Sequence, residues 1–411
     1  MKIDRLRIAA LALCVSLGGC VGDQAERVHS VWRPADLQWR TERVFFVTDR
    51  VHSSMWGGFG KEWSDRAACG SREAVVPPAN LASEPVANGK VSREPDIACA
   101  GAGGPLSGAA HAIAEAARRK GCDRVLIYVH GFNTLFDGAV LRAGQMALDA
   151  QSGCVAAVFS WSSEGVESRY VADIEHSAYA TPLLEAFLRA LARERLRIDI
   201  LAHSVGARVT LSALASMAAH DNPPPENFID QLILAAADVG VEPLNNDFFH
   251  LLDDARPFVR RTTIYASAGD AVLVVSEGVH GEVPRAGREP AADRLKQTPE
   301  AERPAAQHLV DVVDATDAPA ELLGHSYFGL SYEAVRDITL ALDGVPAERR
   351  LRPEDGWPAT LVCKPEGKPC GASRPRYALK VAPDRKPSWI SRFIRRLAPI
   401  LRRVDFPAVG E

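Results

Sequence analysis

Ile198-Asp199-Ile200-Leu201-Ala202-His203-Ser204-Val205-Gly206-Ala207-Arg208 is the stretch that decides how the whole chain is read. The apolar run Ile198 to Leu201 predicts a buried strand, and Gly206 to Ala219 predicts a helix, so strand passes into helix within Ala202 to Gly206. These five residues fit the nucleophile-elbow pattern Gly-x-Ser-x-Gly, with alanine in the first place. The pattern requires small residues because the serine sits on a sharp, strained turn whose larger neighbours would clash. Five letters alone carry little weight; a strand before them and a helix after make the signal specific. Ser204 is therefore the candidate nucleophile, in preference to a serine that merely caps a helix. His203 belongs to the turn and is not the base, since adjacent side chains point apart.

A serine hydroxyl needs a base, and the base needs an acid to hold it. Elbows of this type carry their partners in the order serine, acid, histidine, each after a later strand. Downstream histidines are His220, His250, His280, His308 and His325. His325, in Leu-Leu-Gly-His-Ser-Tyr-Phe, follows the last expected strand, with Gly324 allowing close approach; it is the candidate base. Two acids compete. Asp270 follows strand 262–266 and Asp238 follows strand 232–236, both at carboxyl ends of strands, where open α/β sheets place their sites. Asp270 is favoured by its position two strands beyond the elbow, and Asp238 remains the alternative. Strand 125–129 ends in His130-Gly131-Phe132-Asn133, a turn suited to supplying one backbone N–H to an oxyanion, from Phe132; Val205 would supply the second. His130 is read as structural. Trp161, Phe132 and Tyr327 are candidates either for an acyl pocket or for ordinary core.

Outward from the elbow the chain alternates. Strands are expected at 44–48, 125–129, 155–159, 198–201, 232–236, 262–266 and 309–313, and helices at 138–150, 170–194, 206–219 and 332–342. Such alternation predicts an α/β fold, a mostly parallel sheet flanked by helices. Residues 50–105, polar and rich in glycine, proline and serine, are expected to be irregular, and 287–307 to be a polar loop.

Together these segments resemble the α/β-hydrolase superfamily, and more narrowly the bacterial esterase/lipase-like hydrolases. The resemblance rests on Phe-Phe-Val-Thr-Asp-Arg at 45–50, His-Gly-Phe-Asn at 130–133, Phe-Ser-Trp-Ser-Ser at 159–163, the elbow, Asp270-Ala-Val-Leu and Gly-His-Ser-Tyr-Phe at 324–328. It covers about residues 42–345 and implies an α/β-hydrolase fold. One departure is Ala235-Ala236-Ala237-Asp238, where the family tends to place a proline before the aspartate.

The ends of the chain add location. Lys2, Arg5 and Arg7 precede an apolar run, Ile8 to Leu17, too short to span a bilayer, and Leu17-Gly18-Gly19-Cys20 resembles a bacterial lipobox. The expectation is a signal peptide over 1–19, lipidation at Cys20, a tether over 20–41, and an outer-membrane lipoprotein facing the periplasm. In that oxidising compartment six further cysteines should pair. Cys363 and Cys370 flank a turn-rich segment, and Cys122 and Cys154 each precede a strand; Cys69 and Cys99 pair by elimination. A C-terminal extension, 346–411, is expected to hold a clipped hairpin (359–363 with 376–381) and a basic amphipathic tail. From 385 to 411 the tail has seven Lys/Arg against two acids, and Trp389, Phe393, Leu397 and Ile400 share a helical face. Such a 385–403 helix can lie on an anionic membrane or dock on its own domain.

A chain of 411 residues, 47% hydrophobic and of net charge −4, can bury a large core and is neither collagen-like nor disordered. An exported protein with an acidic body argues against nucleic acid as a partner. No HExxH, P-loop or strand-borne GxGxxG occurs, so no metal or organic cofactor is expected. The resulting expectation is a serine hydrolase acting on small ester or lipid-like substrates. The alternatives are an acyltransferase using the same residues and a noncatalytic envelope scaffold.

Overall fold

Central strands buried on both faces read as near-continuous apolar runs; here 125–129 and 155–159 are wholly apolar, while the buried polar residues Asp199, Gln231, Thr262 and Thr263 interrupt their neighbours. The computed structural model describes residues 38–53, 58–76, 89–150, 155–164, 169–220, 224–249, 258–289, 309–320, 323–351, 359–363 and 377–381. The expected signal segment, Cys20 and the 385–403 helix lie outside them.

Among the described residues, eleven strands form one sheet in the order β10-β11-β9-β8-β7-β6-β4-β5-β1-β2-β3. In chain order these are β1 (Arg40–Ser53), β2 (Gly58–Val76), β3 (Lys90–Val91), β4 (Arg124–Val129), β5 (Val155–Ser160), β6 (Arg197–His203), β7 (Ile229–Ala235), β8 (Val259–Ala266), β9 (Leu309–Asp314), β10 (Leu361–Cys363) and β11 (Tyr377–Leu379). From β1 through β5, β4, β6, β7, β8 and β9 to β11 every pairing is parallel. The principal helices are α1 (Ser107–Arg119), α2 (Phe136–Ala150), α3 (Tyr170–Arg193), α4 (Val205–Ala219), α5 (Ala271–Val279) and α6 (Tyr332–Leu342). None of the described helices is long and apolar enough to cross a membrane.

Alternation along the strands sorts side chains into two cores. Val125, Ile127 and Val129 of β4, with Ile198 and Ile200 of β6, meet α1, α3 and α4 on one face. Leu126, Tyr128, Leu201 and Ile233 meet α2 and α6 on the other. This is the expected α/β architecture, with helices covering both faces of the sheet.

Residues 50–105 are not irregular throughout, because β2 occupies 19 of them, antiparallel to β1. Its first half, with Lys61, Glu62, Asp65 and Arg66, shows no apolar alternation because it lies toward the sheet edge; only Arg72, Ala74 and Val76 alternate inward. Beyond β2, among the described residues, the two-residue β3 and a single antiparallel bridge from Ile97 to Cys69 pair with it. The expected hairpin near the C-terminus is present as β10 and β11, and it extends the main sheet through β11 and β9. Cys69 and Cys99 form a disulfide. Cys122 and Cys363 are also disulfide-bonded, and their expected partners Cys154 and Cys370 lie outside the described residues.

Candidate active site

The carboxyl ends of β4, β6, β7, β8 and β9 carry the singled-out residues, and of the candidate nucleophile, acid and base the structure joins Asp270 to His325. Ser204 follows β6 directly, with φ 53° and ψ −123°, a left-handed conformation that a residue with a side chain adopts only under strain. Its N–H donates to the Ala235 carbonyl (3.0 Å), and its own carbonyl accepts from the Asp238 N–H (3.2 Å), so the end of β7 clamps the turn from the side. Small residues are required on both flanks. A Cβ on Gly206 would lie 2.4 Å from the carbonyl oxygens of Val129 and His130, and one on Gly131 would lie 2.8 Å from the Ser204 Cβ. Ser204 is buried, and its Oγ has no hydrogen-bond partner among the described residues.

Asp270 and His325 meet. The Asp270 Oδ2 lies 2.8 Å from the His325 Nδ1, both side chains being buried. An imidazole facing a carboxylate through Nδ1 carries its proton there, which leaves Nε2 as the basic atom. The other carboxylate oxygen, Oδ1, accepts from the Leu273 N–H (3.0 Å), so Asp270 is also the N-cap of α5. The first turn of that helix is tied to the histidine loop by Ala271 N–H donating to the Leu323 carbonyl (2.9 Å). Gly324, at φ +74°, supplies the reversal that carries His325 inward.

The alternative acid goes elsewhere. Asp238 accepts hydrogen bonds from the Tyr170 and Ser276 hydroxyls (2.5 Å for the latter) and faces the Arg285 guanidinium. Burial, and next to it the Asp238 carboxylate, pushes the Tyr170 hydroxyl far above its ordinary range, so it stays protonated and donates.

The turn after β4 is held from several sides. His130 is buried, its pKa lowered to about 3 chiefly by burial, and its Nδ1 approaches the Gly131 carbonyl (2.7 Å). Trp161 stacks on His130 and donates its indole N–H to the His130 carbonyl (2.8 Å), so it belongs to the core beneath the turn. Tyr327 is likewise buried, and its hydroxyl donates to the Tyr265 carbonyl (2.7 Å) and accepts from the Ala236 N–H (3.1 Å). Phe132 is half-buried with its ring edge-on to Tyr170. Val205 opens α4, where a backbone N–H has no carbonyl one turn behind it. His203 lies beside His325, with ring centroids 4.7 Å apart, and donates from Nε2 to the His325 carbonyl (3.3 Å). Burial, then the neighbouring His325, drives its pKa well down, so it acts as a neutral donor.

Sequence reasoning missed the support under this arrangement. Arg50, wholly buried, donates to the carbonyls of Gly60 (3.0 Å), Ser163 (3.1 Å) and Thr134 (2.7 Å) and to the Ser160 hydroxyl (3.1 Å). Asp173, near the start of α3, accepts from the Ser163 hydroxyl (2.5 Å) and from the Glu164 and Asn133 N–H groups. The signal in the sequence is the charged pair Asp49-Arg50 just after the apolar run Val44 to Val47.

This close packing gives one test. Gly131→Ala should fold, yet the new methyl displaces the elbow, and kcat on a p-nitrophenyl ester should fall about a hundredfold. Circular dichroism and a thermal melt would establish that the variant is folded.

A search of curated proteins finds no match. Similar solved structures include an esterase/lipase from an uncultured bacterium (12% identity, TM-score 0.32, covering 78% of this chain and 87% of that one). They also include a hyperthermophilic esterase from the archaeon Pyrobaculum calidifontis (8%, 0.33, covering 81% and 97%). A third is an esterase from the fungus Rhizomucor miehei (12%, 0.31, covering 79% and 89%). The family model described as "Alpha/beta hydrolase of unknown function (DUF900)" matches residues 107–342, more than half of the 411. With the sheet, the elbow and the residues at its rim already in view, that match places the chain in this family of α/β hydrolases.

Proposed function

We propose that the protein is a serine hydrolase that cleaves carboxylic ester-like substrates through an acyl-enzyme. The observation that carries the reading is the 2.8 Å contact between His325 Nδ1 and Asp270 Oδ2, beside a serine held in a left-handed elbow. In this mechanism the Ser204 oxygen attacks the ester carbonyl while His325 Nε2 takes its proton. The oxyanion is held by the Phe132 and Val205 N–H groups, each such donor being worth about 10²–10³ in rate. The C–O bond then breaks, His325 returns the proton to the departing alcohol, and an ester to Ser204 remains. Water attacks that ester with His325 again as base, which frees the acid and restores the serine. Asp270 keeps the imidazole in the right tautomer and offsets the charge it gains. No step calls for a metal or cofactor.

The proposed setting is the cell envelope, with the chain anchored through a lipid on Cys20 and facing the periplasm. Radiolabelled palmitate should enter the full chain and fail to enter Cys20→Ser.

Fluorophosphonate labelling tests the enzymatic reading. Wild type should label and Ser204→Ala should not; a folded wild type that stays unlabelled would favour the noncatalytic scaffold.

A further inference from the structure

Beside the elbow lies a second group of polar side chains, which the mechanism above does not use. Asp238 is joined to Ser204 through the backbone (3.2 Å), and Arg208 stands one helical turn beyond Ser204 on α4. Tyr170, which donates to Asp238, packs edge-on against Phe132, and the His280 ring packs edge-on against Tyr170. The group therefore borders the site on the Phe132 side, and His203, which stacks on Phe328, borders His325.

Its charges do not balance. Asp238 already accepts from two hydroxyls, those of Tyr170 and Ser276. The Arg285 Nε stands 3.4 Å from Asp238 Oδ1; Arg285 is 97% buried, yet its Nε and Nη2 have no hydrogen-bond acceptor among the described residues. Arg208 Nη2 points at His280 Nε2 (3.2 Å), and its Nε, also buried, has no acceptor among the described residues. Because an arginine only donates, His280 Nε2 must be the unprotonated nitrogen, and Nδ1–H goes to the Ser276 carbonyl (2.9 Å). His280 is thus neutral. The nearby Glu277 is engaged by Arg288 (2.5 Å) and by the Arg285 N–H. Arg285 thus faces a carboxylate whose oxygens already accept from two hydroxyls, and Arg208 faces a neutral imidazole, so that against the one Asp238 carboxylate the two guanidinium groups leave one positive charge over, with buried donors that have no acceptor among the described residues. Buried donors of this kind are costly unless an acceptor reaches them.

We propose that Arg208 and Arg285 form a subsite for a carboxylate carried by the substrate, so that the preferred substrates are esters bearing one negative charge near the scissile carbonyl. The single surplus charge suits a monoanion, and the forked guanidinium donors suit a planar carboxylate. This inference rests on Ser204 being the nucleophile. Phe132 and Tyr170 supply the apolar wall along which the substrate reaches the arginines.

The test compares kcat/KM for matched pairs of esters on the full chain. In one pair the charge is on the acyl part: mono-p-nitrophenyl glutarate against p-nitrophenyl butyrate. In the other it is on the alcohol: 4-carboxyphenyl butyrate against phenyl butyrate. Wild type should prefer the anionic member of at least one pair. Arg208→Gln, and separately Arg285→Gln, should reduce that preference ratio about ten- to hundredfold, the scale of a hydrogen bond to a charged group. Arg208→Lys should recover part of it, and Arg43→Gln, at an exposed pair with Glu73 far along β1, should leave the ratio alone. Because the readout is a ratio, a partly misfolded variant does not mimic the effect. No anionic preference in either pair, or a preference untouched by both glutamine variants, overturns the subsite. Failure of wild type to label with fluorophosphonate overturns the parent reading instead.

Discussion

Replacing Asp270 with asparagine is expected to lower kcat on a neutral p-nitrophenyl ester by about 10⁴-fold, the scale on which a triad carboxylate acts. Which way the new amide points is decided by the helix it caps. Asp270 Oδ1 accepts from the Leu273 N–H, so the amide oxygen must stay there and the NH₂ group must face His325 Nδ1. Donor would then meet donor unless the imidazole moves its proton to Nε2, where it can no longer accept one from Ser204. The cap survives, so the melting temperature should change little while activity collapses. Asp238→Asn, which touches Tyr170 and Ser276 and no triad histidine, should cost far less. Activity within tenfold of wild type in Asp270→Asn would remove this aspartate from the mechanism.

Arg50→Ala should have the largest effect on stability, a loss of about 3–5 kcal/mol, as when one partner of a buried charged network is removed. Burial pulls the Arg50 pKa down, only to about 10, so it is charged at neutral pH. The deletion orphans the carbonyls of Gly60, Thr134 and Ser163. It also leaves the buried Asp49, whose pKa burial already raises to about 7, without its nearest positive charge. Arg50→Lys should restore little, since one ammonium cannot span three loops. Urea unfolding followed by fluorescence measures both variants; a loss below about 1 kcal/mol, the worth of an ordinary hydrogen bond, would mean that the loops hold themselves.

What could be read beforehand was what is local in the chain. Apolar runs marked β4 through β9 closely, the helix over 332–342 was placed to the residue, and the order of strands put Asp270 and His325 at one end of the sheet. What could not be read depends on contacts distant in sequence. β2 is defined by its pairing with β1, not by its own polar composition. Helices α1 and α5 carry little local signal: α1 is an alanine-rich segment with one stronger apolar residue, Ile113, at its buried positions, and α5 is a nine-residue apolar run whose N-cap, Asp270, reads in sequence as an acid alone. Buried charges were the hardest to find. Arg50, Asp173 and Arg285 read as surface residues until partners from other strands and helices surround them.

The order of strands across the sheet also bears on how the protein is made. Ser204 leaves β6, near the middle, flanked by β4 and β7, whereas Asp270 and His325 follow β8 and β9 toward one side. A chain emerging from its N-terminus can assemble the elbow while the residues that would activate the serine are still unsynthesised. On the proposed reading, a centre of this layout is born dormant, and it is armed only late in its own translation.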